Sequence, residues 1–367
     1  MAKPPRLLRL CYAAAHVVLH DAYAALDHRL DRPGDADSIH RHIDWAATMR
    51  IRQRLAAHGL GIAEAMDTAQ RFYLGWPGAR ELIVRCGRLR LPQGFCAGAG
   101  TDHLPQVRGP QDLVDGVVFQ ARLIQRCGGI PVLLPMPWLS LQGADAATYV
   151  WVYRRIVRQL QGPLLVHWLG AMFLPSLAGY FPGDSFRQVM ALDRSKLRGC
   201  KLSLLDAGLE VTLRRELLRH DQLVLTGDDF HFGRLILGGE ADGATPTAVP
   251  AVQRWTELDG RQVALGDFSH ALLGILDGIA APTERALQAL ARDDAQGFLD
   301  VMLPCEALGQ HVFAAPTQHY KAGLAYLAYR NGWQGNAMLI NREDLARDQQ
   351  HYATCERLAR ACGALSD

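Results

Sequence analysis

The chain has 367 residues and a mass of 40.4 kDa; 49% of it is hydrophobic and 21% charged, which excludes a disordered or fibrous polypeptide. Lysines and arginines total 39 and aspartates and glutamates 37, a formal net charge of +2 that gives no electrostatic reason for a nucleic acid or an anionic membrane as partner. The longest apolar runs, such as Ile130–Pro137, are broken by Pro, Gly or charge well short of a membrane span.

The opening MAKPPRLLRLCYAAAHVVLHDAY is basic and then apolar, as a signal peptide would be. His16 and His20 interrupt the apolar part, and no clean small-residue cleavage site follows. The eight cysteines are scattered without a CxxC pair, which fits buried, reduced thiols and a cytoplasmic chain.

Short apolar runs then alternate with longer amphipathic ones. The predicted strands are Arg9–Val17, Leu60–Ala65, Gly94–Ala97, Ile130–Leu134, Pro163–Val166, Gly199–Leu202, Gln222–Leu225 and Gln262–Leu265. Between them the spacing predicts helices over Trp45–Ala57, Pro77–Arg85, Gln111–Arg126, Ala144–Leu160, Ser185–Leu192 and Leu209–His220. In Gln111–Arg126 the apolar positions Leu113, Val114, Val117, Val118, Ala121 and Ile124 recur at helical intervals. Eight such strand–helix repeats are what a closed (β/α)8 TIM barrel of the α/β class requires. An open doubly wound sheet is the competing arrangement, but no GxGxxG follows the first strand. Residues 240–261, rich in Gly, Ala, Thr and Pro, read as a long loop between the last two strands. From Pro282 the strand signal stops, so residues 1–281 are expected to form the barrel and 282–367 a helical extension packed on it.

In such a barrel the residue at the carboxyl end of each strand faces a common mouth. Those positions hold His16, Asp67-Thr68, Thr101-Asp102-His103, Pro137-Trp138, His167, Lys201, Asp228-Asp229 with His231, and Asp267. Lys201 lies in the otherwise apolar RGCKLSL, where burial would lower its pKa toward that of a neutral amine, the nucleophile of Schiff-base chemistry. An equally simple reading is a lysine ion-paired to an aspartate such as Asp228. Asp228 and Asp229 in turn can be read as a helix N-cap with a first-turn charge.

This order of motifs resembles the dihydrodipicolinate synthase / N-acetylneuraminate lyase superfamily of class I aldolase barrels, in a branch known only as synthase-like. IDWAATMRIRQRLAAHGLGIAEAMDTAQ is similar to the opening helix, second strand and carboxylate-binding turn of that family. FCAGAGTDHLP resembles the third strand, GGIPVLLPMPWLS the fourth and GPLLVHWLGAMF the fifth. LRGCKLSLLD resembles the Schiff-base sixth strand, LVLTGDDFHFGRLILGG the seventh, and PTQHYKAGLAYLAYRNG the helix after the barrel. The resemblance implies a homo-oligomeric lyase with Lys201 as nucleophile and no cofactor or metal. His167 stands where the family has a proton-relaying tyrosine. Asp67 stands in the turn that grips a substrate carboxylate, which it would repel. No arginine follows strand five, and Pro137-Trp138 replaces the strand-four tyrosine; dihydrodipicolinate synthesis itself is therefore not expected.

The expected reaction is a class I aldol cleavage, condensation or dehydration on a polyhydroxylated, sugar-derived carbonyl compound or keto acid. Lys201 and His167 would be catalytic, with Asp67, Thr68, Thr101, Asp102, Trp138, Asp228 and Asp229 binding the substrate. Two further readings remain at this point. One is a metal-dependent sugar isomerase or hydrolase using His16, Asp67, Asp102, His103, His167 and Asp229, although HxH and HExxH are both absent. The other is a non-catalytic carbohydrate-binding barrel in which Lys201 is a core ion pair.

Overall fold

The computed structural model describes residues 6–240 and 248–365. Eight strands form a closed parallel barrel in the order of the chain: Cys11–Ala14, Gly61–Glu64, Phe95–Ala99, Ile130–Leu133, Leu164–Leu169, Leu197–Ser203, Leu223–Thr226 and His270–Leu273. They are short and largely apolar, with Ile62, Ala97, Val132, Leu165, Cys200, Leu225 and Leu272 all fully buried. Strands covered on both faces read as continuous apolar runs, which is why seven of the eight predicted runs coincide with barrel strands.

The eighth does not. Arg261–Leu265 forms a separate three-stranded sheet, antiparallel to Arg254–Leu258 and parallel to Arg6–Leu7. Leu258 pairs with Arg261 across a two-residue turn, Asp259-Gly260, with φ of 50° and 73°. That is the Asp-Gly hairpin signal, and it makes a strand of a segment expected to be loop. Residues 241–247 of the expected loop lie outside the described residues. The last barrel strand is instead His270–Leu273, joined to the start of the first strand. The Leu10 N–H donates to His270 Nδ1 (2.9 Å) and the Ala271 N–H to the Leu10 carbonyl (2.8 Å). His270 Nε2 donates to the Ala264 carbonyl, so the buried ring is neutral, its pKa pushed down to about 3 by burial and by Arg9.

Internal contacts divide the chain into two compact units. The first holds the described residues of Met1–Leu10, Cys96–Asp228 and Arg234–Leu272; the second holds Cys11–Phe95, Asp229–Gly233 and those of Leu273–Asp367. Helices Trp45–Ala57, Ala280–Ala291, Ala295–Val312, Lys321–Arg330 and Gln349–Ala361 belong to the second unit. No helix among the described residues is long and apolar enough to cross a membrane.

Candidate active site

In the first unit, strands five and six set two candidate side chains against each other. His167 and Lys201 are register partners on neighbouring parallel strands, so both project from the same face. Which face follows from their neighbours. Trp168, next to His167, packs outward on Phe181 and Phe186, with ring centroids 5.4 and 4.7 Å away. Cys200, next to Lys201, is fully buried and feels the charge of Glu210 on the surrounding helix Ala207–Leu218. His167 and Lys201 therefore point to the opposite side, the barrel interior. Lys201 is half-buried, less enclosed than its apolar sequence setting implies.

Two residues beyond Lys201 on the same face, Ser203 places its Oγ 3.2 Å from His167 Nε2. His167 Nδ1 is buried and has no hydrogen-bond partner among the described residues. Burial, and after it the charge of Lys201, holds the His167 pKa well below the usual histidine value, so the imidazole is neutral around pH 7. Gly227, just past strand seven, makes room for this group: a Cβ there would lie 2.2 Å from Ser203 Oγ and 2.8 Å from Lys201 Cε. Its N–H donates to the Leu202 carbonyl at 2.6 Å, which fixes the approach.

Other candidates of this unit frame the strand ends. The Thr101–His103 turn is held by buried Gln120. Its Oε1 accepts from the Gly100 N–H (2.6 Å), and its Nε2 donates to Asp102 Oδ1 (2.9 Å) and His103 Nδ1 (3.0 Å). His103 stacks on Phe119 at 4.8 Å, and Thr101 lies against Gly116. Trp138 is half-buried on the first turn of helix Pro137–Leu141. Asp228 is buried, its N–H donating to Thr226 Oγ1 at 3.2 Å. Asp267 precedes strand eight and does not end a barrel strand, which removes it from the expected ring of acceptors. Arg214 and Arg215 hold it at 2.7 and 2.8 Å.

The remaining candidates lie in the second unit and have partners there. Asp67 pairs with Lys321 at 3.0 Å, and Lys321 also reaches Glu343 at 3.5 Å. Asp67 thus carries a counter-charge that the sequence did not reveal. Thr68 Oγ1 lies 2.7 Å from the hydroxyl of Tyr320, whose ring stacks on Phe313. Asp229 Oδ1 accepts from the Ile275 N–H at 3.0 Å, and the N–H of Gly233, at the start of helix Phe232–Leu237, is satisfied by Glu306 at 2.6 Å.

His16 is committed to structure. Its Nδ1 lies 2.5 Å from Asp277 Oδ2 and its Nε2 2.6 Å from Gln334 Oε1. Gln334 Nε2 donates to the Ala325 and Asn336 carbonyls, so its oxygen must face the histidine and accept. Both ring nitrogens therefore donate, and His16 is a buried imidazolium. Burial opposes the charge, but Asp277 outweighs it and raises the pKa. Such a ring has no lone pair for a metal. Beside it, Arg52 makes two 2.9 Å bonds to Glu64 and donates to the His16, Thr48 and Ala15 carbonyls.

Sequence reasoning missed Ser203, Gly227, Gln120 and Tyr320. Ser203 was within reach, because a two-residue interval from Lys201 on a strand marks the same face. Tyr320, 252 residues from Thr68, carried no local signal.

Taken together, the eight parallel strands and their helices form a TIM barrel. Solved structures with this fold include dihydrodipicolinate synthase from Oceanobacillus iheyensis, with 13% identity, TM-score 0.63 and 97% of each chain covered. The same enzyme from Bacteroides thetaiotaomicron has 12% identity and TM-score 0.63, with 98% of this chain and 99% of that one covered. N-acetylneuraminate lyase from Mycoplasma synoviae has 10% identity and TM-score 0.62, with 96% and 97% covered. The barrel thus has the fold of the dihydrodipicolinate synthase / N-acetylneuraminate lyase superfamily. No curated protein matches the chain in sequence. The chain belongs to the family described as "Protein of unknown function (DUF993)", whose model matches residues 1–367.

Proposed function

We propose that this protein is a Schiff-base-forming class I lyase or aldolase acting on a polyhydroxylated, sugar-derived carbonyl compound or keto acid. The observation that carries the reading is the pairing of Lys201 with a neutral His167 on one face of adjacent strands, with Ser203 bonded to the imidazole. Lys201 Nζ would attack the substrate ketone, and loss of water would give an iminium. A neutral imidazole beside it would accept the proton of the substrate's β-hydroxyl as the carbon–carbon bond breaks, its electron pair passing into the iminium to give an enamine. Dehydration would use the same pair of groups.

Thr101, Asp102, Trp138 and Asp228, in the same unit as Lys201, would bind the substrate, the carboxylates accepting from hydroxyls. Asp67, Thr68 and Asp229 have partners within the second unit, so the reading does not draw on them for chemistry. The name of N-acetylneuraminate lyase, among proteins of like fold, agrees with a sugar-acid substrate. The divergence at His167 and Asp67 argues against dihydrodipicolinate synthesis. A metal-dependent reaction through His16 is disfavoured by the imidazolium found there. We further expect a cytoplasmic homo-oligomer. Phe119 and Trp151, exposed by 52% and 40% on the packed helices Pro110–Arg126 and Ala146–Gln159, are apolar groups that such an interface would cover.

The test is reductive trapping. Borohydride with a panel of keto acids and ketoses, followed by peptide mass spectrometry, is expected to leave a reduced adduct on Lys201 and none in Lys201→Ala. Turnover of a substrate that leaves no adduct on Lys201 would remove this mechanism.

A further inference from the structure

We infer that the C-terminal helices carry a second, metal-binding site, in which His311, His351 and Cys355 hold a thiophilic divalent ion of the zinc class. The three side chains each bring a ligand atom to within 4.8 Å of the others. His351 and Cys355 are four residues apart on helix Gln349–Ala361 and so share one face. His311 comes from the last turn of helix Ala295–Val312, which makes the set a bridge between two helices.

The surroundings are those of a ligand set. His311 Nε2 lies 3.0 Å from the carbonyl oxygen of His351, which can only accept, so Nε2 carries the proton and Nδ1 the lone pair. Metal-binding histidines are commonly oriented in this way, by a carbonyl at the nitrogen that does not bind. His351 Nε2 is buried with no hydrogen-bond partner among the described residues, a costly state that a metal bond would relieve. The two imidazoles stack at 4.3 Å, and Cys355 is buried beneath them. A tetrahedral ion with bonds of about 2.0–2.3 Å needs ligand atoms roughly 3.3–3.8 Å apart, so side-chain rotations of about an ångström complete the site.

The donor set selects the ion, with Arg347 beside it. The Arg347 guanidinium donates to the Ala314, Ala315 and Pro316 carbonyls, and its charge acts on both Cys355 and His351. That cation opposes any divalent ion alike, so only strong bonds to thiolate and imidazole hold one here, and Ca2+ or Mg2+, which need oxygen ligands, are disfavoured. Binding displaces the Cys355 thiol proton to solvent, and water takes the fourth position.

The full-length chain, stripped with chelator and desalted, should take up one equivalent of cobalt(II) and show near-ultraviolet thiolate-to-cobalt charge transfer. Zinc should displace the cobalt, remain bound through gel filtration and raise the Tm. Cys355→Ser should lose the charge-transfer band and His351→Ala the stoichiometric retention. Lys201→Ala should bind as the wild type does, which separates this site from the proposed reaction. X-ray absorption of the zinc-loaded wild type should show one sulphur and two imidazoles, a readout that needs no variant. Absence of uptake by the wild type, a zinc shell without sulphur, or equal binding by Cys355→Ser and His351→Ala would each overturn the assignment.

Discussion

His167 and Lys201 face each other across adjacent parallel strands, and the lysine's charge adds to burial in suppressing protonation of the imidazole. The histidine is thus set as a proton acceptor over the range in which ordinary histidines begin to charge. The acid limb of kcat should therefore fall well below pH 6.5. Lys201→Met should move the His167 titration upward, though not fully to 6.5, because burial is the larger cause. Proton NMR of the imidazole Cε1–H across a pH series reads this; an unmoved titration would show that the two groups do not interact. The same depression means that the neutral ring's contribution to stability is whole above pH 6.5 and is lost as pH falls toward the folded-state value.

Gly227→Ala should damage both the reaction and the fold. The added methyl would meet Ser203 Oγ at 2.2 Å and both Lys201 Cε and the Leu202 carbonyl oxygen at 2.8 Å, so the side chains must turn away and the backbone must shift as well. Overpacking of this kind costs about 1–3 kcal/mol, so the variant should fold with a lowered Tm. The rate of borohydride trapping, compared with a circular-dichroism melt, distinguishes a displaced lysine from a collapsed barrel.

The His16–Asp277 pair predicts stability that declines on the alkaline side. The folded pKa of His16 is raised, so its contribution is complete below the unfolded value near 6.5 and disappears as pH rises through the folded value. Asp277→Asn leaves a buried charge unpaired and should cost about 3–5 kcal/mol at neutral pH. Urea unfolding at several pH values should show a weaker alkaline loss in Asp277→Asn than in the wild type.

Glu210 gives the opposite engineering result. Burial lifts its pKa to about 7, against hydrogen bonds from Ser269 and Thr226. A carboxyl raised from its usual 4.5 favours the fold fully below that value, and the benefit is lost as pH rises through 7. Glu210→Gln, neutral at every pH, should therefore match the wild type near pH 4.5 and exceed it at pH 8.5 by up to about 3 kcal/mol. Equal stabilities at pH 8.5 would mean that the carboxylate is better solvated than its burial implies.

The barrel was legible because parallel strands covered on both faces are continuous apolar runs, which the sequence keeps distinct from its amphipathic helices. The eighth strand was not. Arg261–Leu265 has the same apolar character but pairs in the side sheet, and the Asp259-Gly260 turn that reveals its hairpin was read as loop. Around the site, the two-residue interval from Lys201 to Ser203 marks one face of the strand, yet Ser203 was not among the expected site residues. The counter-charge on Asp67 and the ring beside Thr68 depend on Lys321 and Tyr320, more than 250 residues away in the chain. No spacing rule encodes such distant partnerships.

The contribution of the last 86 residues (282–367) to the second unit bears on how this protein can be dissected. Gln334 accepts from His16, Lys321 neutralises Asp67, and Glu306 satisfies the Gly233 N–H. A chain cut after residue 281 would keep the His16–Asp277 pair but leave the other imidazolium nitrogen, a carboxylate and a peptide nitrogen without these partners. Limited proteolysis within that tail should consequently release no autonomous barrel, and a recombinant fragment ending there should be recovered from inclusion bodies.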